Sequence, residues 1–139
     1  MSALDAVLAD PSIQKEFESL HPTEQAVINW QLNWLGKQAH KHQIEPTGDW
    51  WNIWLMLAGR GAGKTRASAE TLASWAWEQP NTRWLVSAPT SGDLKGTCFE
   101  GDSGLISVIP PALVAKYNSS LHEIHLINGS FIKGIPASE

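Results

Sequence analysis

The chain has 139 residues, enough for one domain and too few for two, and its 42% apolar content argues against disorder along its whole length. Its single cysteine excludes an intrachain disulfide, and its net charge of −4 lacks the basic surplus typical of an autonomous nucleic-acid-binding protein. No apolar run approaches the roughly 20 residues of a membrane span, and the N-terminus carries no secretory leader, so we expect a cytosolic protein without a membrane partner.

The N-terminal part of the chain is predicted to be helical. Two short helices come first, one capped by Ser2 and the other containing residues 13–20. Thr23 is predicted to cap a longer helix over about residues 24–40, in which the tryptophans share an apolar stripe. Helical spacing of this kind favours packing of these tryptophans in a core over a ligand-stacking role.

An α/β pattern follows the polar loop of residues 41–49. Residues 50–57 are a near-continuous apolar run, which predicts a strand buried on both faces, as in a parallel sheet. A glycine-rich break leads into a helical pattern over about residues 64–79, and residues 83–88 are predicted to form a second buried strand. This order is typical of the βαβ unit of an open sheet. Farther on, Asn128-Gly129 between two apolar runs predicts a β-hairpin.

The motif that points to chemistry is Ala-Gly-Arg-Gly-Ala-Gly-Lys-Thr at residues 58–65. It matches the phosphate-loop pattern G-x-x-x-x-G-K-[ST], except that Ala58 replaces the first glycine. Glycines let backbone N–H groups approach phosphate oxygens, and the N-terminus of the following helix attracts anions. The residues of this region predicted to bind a nucleoside triphosphate are Gly59, Arg60, Gly61, Ala62, Gly63, Lys64, Thr65 and Arg66.

Each polar side chain of this motif has a predicted role. Lys64 is expected to reach the β and γ phosphates of ATP, and the Thr65 hydroxyl is expected to hold Mg²⁺. Arg60 either folds over the γ-phosphate, where it would stabilise charge in the transition state, or is an exposed, solvated arginine. Arg66, in the first helical turn, is expected to contact either phosphate or a carboxylate.

The residues that hydrolysis would need after the phosphate loop are not recognisable in the sequence. Phosphoryl transfer also needs a metal-positioning carboxylate, which in these folds ends another buried strand. No run of four apolar residues followed by Asp or Glu occurs after Thr65. We therefore expect the N-terminal portion of an incomplete domain, which binds a nucleotide and is inactive in hydrolysis by itself.

Several segments together resemble one protein family. Residues 48–67, the tryptophan-rich stretch before them, and residues 86–90, 100–105 and 131–139 resemble the large subunit of tailed-phage terminases, the DNA-packaging motors. The similarity spans roughly residues 20–139. The phosphate loop alone is shared with many ATPases, so the joint pattern is what makes the resemblance specific.

The resemblance implies a fold and a set of partners. We expect a helical segment at residues 1–22, then the N-terminal part of a P-loop NTPase domain at residues 23–139, an α/β three-layer sandwich with a mostly parallel sheet. The family's acidic strand and nuclease domain have no counterpart in the sequence. The full-length family drives double-stranded DNA into a procapsid in the host cytoplasm, so DNA, the portal, the small terminase subunit and a homo-oligomeric ring are the implied partners.

The resemblance also assigns residues. The family's catalytic loop arginine and lysine match Arg60 and Lys64, its metal-holding hydroxyl matches Thr65, and its adenine-reading glutamine falls on Gln43. From the residues alone, Gln43 is a polar loop residue whose amide offers a donor and an acceptor. Two alternatives stay open, namely a fragment of a helicase-like translocating ATPase and a non-catalytic nucleotide-binding or interaction module.

Overall fold

The computed structural model describes residues 3–138, and their side chains from residue 5 onward. The chain divides into two compact units, one reaching to Gln38 and one beginning at Ala39. The boundary predicted after residue 22 lies inside the first unit, so the long helix is grouped with the N-terminal helices and not with the sheet. Ser2, predicted to cap the first helix, lies outside the described residues.

The first unit contains three helices, α1 (Ala3–Leu8), α2 (Pro11–Ser19) and α3 (Pro22–Asn33), followed by a π-helical turn at Trp34–Gln38. The predicted cap at Thr23 is wrong, because α3 begins at Pro22 and the His21 ring accepts from the Thr23 N–H at 3.2 Å. The α-helix also stops before residue 40, since its last turns widen into the π-helical turn. Trp30 and Trp34 are buried, which confirms their prediction as core residues.

The second unit contains the sheet and the remaining helices. Its regular elements are a 3₁₀ turn (Lys41–Gln43), α4 (Lys64–Glu78), β1 (Arg83–Ala88), α5 (Ser91–Asp93), a π-helical turn (Leu94–Phe99), α6 (Leu105–Val108), a 3₁₀ turn (Pro111–Leu113), β2 (Val114–Asn118), β3 (Glu123–Leu126) and β4 (Phe131–Pro136).

The four strands form one mixed sheet in the order β1-β4-β3-β2. The sheet has one parallel pairing, β1 with β4, while β3 pairs antiparallel with both β4 and β2. The expected mostly parallel sheet is therefore wrong for the described strands. The predicted hairpin is confirmed and explains the difference, because the turn at Asn128-Gly129 returns the chain directly beside β3, with Gly129 at φ +86°.

The apolar run of residues 50–57, predicted as a buried strand, forms no strand. Trp50, Ile53, Leu55 and Leu57 are 71–85% exposed. A strand buried on both faces needs hydrogen-bonded neighbours and covering helices, and among the described strands none pairs with this segment. The prediction of a fully buried β1 fails for the same reason. β1 pairs only with β4 and is an edge strand, with Leu85 62% exposed.

The core of the second unit lies between the sheet and the helices. On α4 the buried residues are mostly alanines (Ala67, Ala69, Ala73, Ala76), whose small side chains permit close packing against α6 and β1. The sheet contributes Ile124 and Ile132, which are fully buried. The Asn128 amide donates to the carbonyl oxygens of Ala76 and Trp77 at 2.9 and 2.8 Å, so the hairpin satisfies the C-terminal end of α4.

Two further features complete the fold. The Trp75 ring on α4 lies between the rings of Trp51 and Trp84, with centroids 6.4 and 5.8 Å away. These three tryptophans thus connect the segment before the glycine-rich loop, α4 and β1. Within residues 3–138, every helix is too short or too polar to cross a membrane.

Candidate functional site

The glycine-rich loop leads directly into α4, which begins at Lys64 as predicted. Gly61 and Gly63 adopt left-handed backbone conformations, with φ of +78° and +83°, which glycine takes at little cost. Gly63 is the N-cap of α4 and provides no side chain for the free N–H groups of the first turn. The loop therefore presents backbone donors at a helix N-terminus, the arrangement that binds anions.

The Lys64 side chain folds back over the loop. Its ammonium donates to the carbonyl oxygens of Ala58 and of Gly59, the latter at 3.1 Å. These two carbonyl groups hold the positive charge of Lys64 beside the loop. Ala62 N–H donates to the Gly59 carbonyl at 3.3 Å and closes the turn of the loop.

The other polar residues of the motif differ in whether they have a partner within the protein. Arg60 and Thr65 are exposed, and within the described part of the chain the Arg60 guanidinium has no hydrogen-bond or ion-pair partner. Arg66 binds the carboxylate of Glu70, one turn farther along α4, through Nε at 2.9 Å and a terminal nitrogen at 2.8 Å. Of the two contacts expected for Arg66, the structure shows the carboxylate, and a phosphate contact stays a prediction.

Gln43 lies against the loop although twenty residues separate it from Gly63. Its side chain is buried, its Nε2 donates to the Gly63 carbonyl at 3.1 Å, and its Oε1 accepts from the His40 N–H at 2.9 Å. Next to it, the His42 Nε2 lies 2.7 Å from the Ala62 carbonyl. The structure thus brings Gln43 to the predicted site, while its reading of adenine stays a prediction.

Two carboxylates near the site escaped the sequence analysis. Glu70 is 1% exposed, and its spacing of four residues from Arg66 on a helix is a signal that could have found the pair. Glu45 accepts from the Trp75 indole N–H at 3.2 and 3.0 Å through its two oxygens. No local pattern in the sequence links residues 30 positions apart, so this contact could not have been predicted.

One cavity borders the glycine-rich loop, and another lies in the first unit. A cavity of about 210 Å³ lies beside Lys64 and is lined also by His42, Trp54 and Leu57. It is smaller than the roughly 300–1,000 Å³ of typical small-molecule sites. A second cavity, of about 570 Å³, belongs to the first unit and is lined by no residue of the loop.

Histidine, cysteine and carboxylate side chains, which serve as metal ligands or nucleophiles in other proteins, also occur away from the loop. Within residues 3–138, His, Cys, Asp and Glu side chains nowhere cluster in threes that could hold a metal ion. His125 and Glu123 lie on β3 with their side chains 3.6 Å apart. Burial raises the pKa of the Cys98 thiol, which disfavours the reactive thiolate.

The comparison with protein families identifies the chain. The family model of the N-terminal part of the T4likevirus-type terminase large subunit matches residues 55–137, more than half of the sequence. No curated protein and no solved structure matches the chain. The matched region contains the glycine-rich loop, α4 and the whole sheet, whereas Gln43 lies before it. The chain therefore belongs to the terminase large subunit family, whose role is phage DNA packaging.

Proposed function

We propose that this chain is the ATP-binding segment of a phage DNA-packaging motor. The observation that carries the proposal is the geometry of the loop of residues 59–63. Two of its glycines adopt left-handed backbone conformations and lead into the N-terminus of α4, which has no side-chain cap. The Lys64 ammonium folds back over this loop. Free backbone N–H groups, the helix dipole and a lysine together favour a polyphosphate. The family adds the expectation that this polyphosphate belongs to ATP.

The residues of the loop have distinct roles in this proposal. Lys64 exchanges its two carbonyl partners for oxygens of the β and γ phosphates. Thr65 is exposed on the first turn of α4, and its hydroxyl offers the oxygen ligand that Mg²⁺ prefers. One protein ligand would suffice, because Mg²⁺ retains several waters and takes further ligands from the phosphates. The exposed Arg60 guanidinium is available to stabilise charge on the γ-phosphate.

The wider role follows from the family. We assign the chain to the motor that moves double-stranded DNA, acting in the host cytoplasm with the portal, the small terminase subunit and further copies of the large subunit as partners. Hydrolysis also requires a carboxylate that positions the metal and the attacking water. Among the described strands none ends in Asp or Glu, so we propose that this chain by itself binds ATP without steady turnover.

Calorimetric titration of ATP with Mg²⁺ into the parent chain and into Lys64→Ala tests binding. We expect the substitution to weaken binding by about a hundredfold, because it removes charge-assisted hydrogen bonds to phosphate. Lys15→Ala, an exposed lysine on α2, is the matched control and should bind as the parent does. Equal affinity of the parent and Lys64→Ala would contradict the assignment of the phosphate site.

Release of inorganic phosphate from ATP tests the second part of the proposal. We expect the parent chain to release no more phosphate than Lys64→Ala does. Steady Mg²⁺-dependent release that the substitution abolishes would show that the chain contains its own complete hydrolytic site.

A further inference from the structure

We infer that Gln43 is a positioning residue that fixes the backbone of the phosphate loop, an inference that rests on the proposed function. The polar atoms of its amide already have partners inside the protein, the Gly63 carbonyl for Nε2 and the His40 N–H for Oε1. The side chain is only 5% exposed. An amide buried and engaged at both ends is suited to holding protein backbone, and it leaves little surface for a nucleotide base.

The bond from Gln43 acts at the peptide that begins α4. The Gly63 carbonyl also accepts the first helical hydrogen bond, from the Ala67 N–H at 3.0 Å. Because a trans peptide is planar, fixing the Gly63 oxygen also fixes the direction of the Lys64 N–H on the opposite side of the same plane. That N–H is one of the donors that a phosphate would meet at the helix N-terminus.

His42 holds the preceding peptide in the same way. Its Nε2 lies 2.7 Å from the Ala62 carbonyl, which only accepts, so the ring nitrogen donates. Anchoring this oxygen fixes the direction of the Gly63 N–H. Two successive residues, His42 and Gln43, therefore hold two successive peptides of the loop, and consecutive N–H groups held in this way form an anion-binding concavity.

The space at Gly63 confirms how closely Gln43 is fitted to the loop. A Cβ atom at Gly63 would collide with the Gln43 Nε2 and would lie 3.1 Å from its Cδ. Glu45, two residues farther on, receives the Trp75 indole N–H and ties the same segment to α4 at a second place. The segment from residue 40 to residue 45 is thus a polar strap that holds the loop at the start of α4.

Binding of three ligands to Gln43→Met separates a positioning role from base reading. Methionine keeps the length of the side chain and removes its hydrogen bonds. With Mg²⁺ present, we expect the dissociation constants for ATP, GTP and inorganic tripolyphosphate all to rise by the same factor, about five- to tenfold. Gln31→Met, on α3 in the other unit, is the control and should leave all three unchanged. Thermal unfolding of each variant ensures that binding is measured on folded protein.

The other outcomes overturn the inference in recognisable ways. A loss confined to ATP, with tripolyphosphate unchanged, would make Gln43 a reader of the base. No loss for any ligand would remove its role altogether. If the parent binds none of the three ligands, the proposed function fails, and amide hydrogen exchange at Ala67, whose N–H donates to the Gly63 carbonyl, then decides the inference without a nucleotide. Faster exchange in Gln43→Met supports the positioning role, and unchanged exchange contradicts it.

Discussion

Two regions of the second unit, the sheet and the segment of residues 50–57, both contain large apolar side chains but differ in the burial of those side chains. Ile132 in β4 is fully buried, whereas Ile53 in the segment is 85% exposed. The difference lies in the partners, because β4 has a hydrogen-bonded strand on each side and the segment has none among the described strands. An apolar run becomes a strand only where neighbouring strands satisfy its backbone.

The comparison also distinguishes the residues that stabilise the fold from those of the candidate site. The buried apolar side chains of this unit lie in the sheet, on the alanines of α4 and in the helical segments between β1 and β2. The glycine-rich loop is held mainly by polar contacts, from His42, Gln43 and the Lys64 ammonium. Substitutions in the sheet should therefore change the free energy of unfolding, and substitutions in the loop and the strap should change ligand binding.

The largest expected contrast is between two isoleucines. Ile132→Ala should lower the free energy of unfolding by about 3 kcal/mol, because it leaves a cavity at a fully buried position. Ile53→Ala, its matched control in the exposed segment, should change this free energy by less than about 0.5 kcal/mol. Urea unfolding followed by circular dichroism measures both, and equal losses would show that residues 50–57 are buried in solution.

Two glycines give the next contrast. A Cβ at Gly134 in β4 would lie 2.8 Å from the Phe99 ring and 2.9 Å from the His122 Cβ, whereas a Cβ at Gly59 would meet nothing within 4 Å. Gly134→Ala should therefore destabilise the fold by about 1–3 kcal/mol through overpacking. Gly59→Ala should leave the unfolding midpoint in urea close to that of the parent. A neutral Gly134→Ala would mean that the packing of Phe99 against β4 is looser than described.

The parts of the fold that the sequence predicts well are those with local signals. The helical spacing after Lys64 predicts α4 almost to its last residue, and Asn128-Gly129 predicts the hairpin. The strand predicted at residues 50–57 fails because strand formation depends on partners that an apolar run does not specify. β2 is missed because Pro110-Pro111 breaks the apolar pattern and the strand itself is half polar.

In the candidate site, too, the sequence predicts the features with local signals and misses the long-range contacts. The spacing of glycines before Lys64 predicts the loop, because the backbone geometry needed there is encoded by neighbouring residues. The approach of Gln43 to Gly63 depends on folding across twenty residues, and only the family resemblance pointed to Gln43. The contact between Glu45 and Trp75 has no counterpart in any motif, since it joins a loop to a helix residue 30 positions farther along the chain.

A smaller contrast compares two asparagines. Asn128→Ala removes the hydrogen bonds to the Ala76 and Trp77 carbonyls and one from the Ser130 N–H at 3.0 Å. Because these groups are only partly buried and water can replace the amide, we expect a loss of about 1–1.5 kcal/mol in the free energy of unfolding. Asn52→Ala, in the exposed segment, should be neutral in the same urea titration. A neutral Asn128→Ala would mean that the hairpin does not secure the end of α4.

The smallest expected effect tests whether charge contributes to the stability of the sheet. The Lys133 ammonium, 3.1 Å from the Glu123 carboxylate across β3 and β4, lowers the pKa of Glu123 through their hydrogen bond. A lowered pKa in the folded state stabilises the fold above the ordinary value of 4.5, and this contribution is lost as the pH falls through the folded-state pKa. The pair is solvent-accessible, so its contribution should be slight.

Glu123→Gln should therefore be slightly less stable than the parent at about pH 7 and equal to it at about pH 3, as measured by urea unfolding at both values. Asp49→Asn, in the loop before the exposed segment, is the control for removing a carboxylate outside the sheet. If Glu123→Gln at neutral pH cost as much as Ile132→Ala, the sheet would depend on charge as strongly as on apolar packing. The contrast between the two regions would then be one of electrostatics as well as of burial.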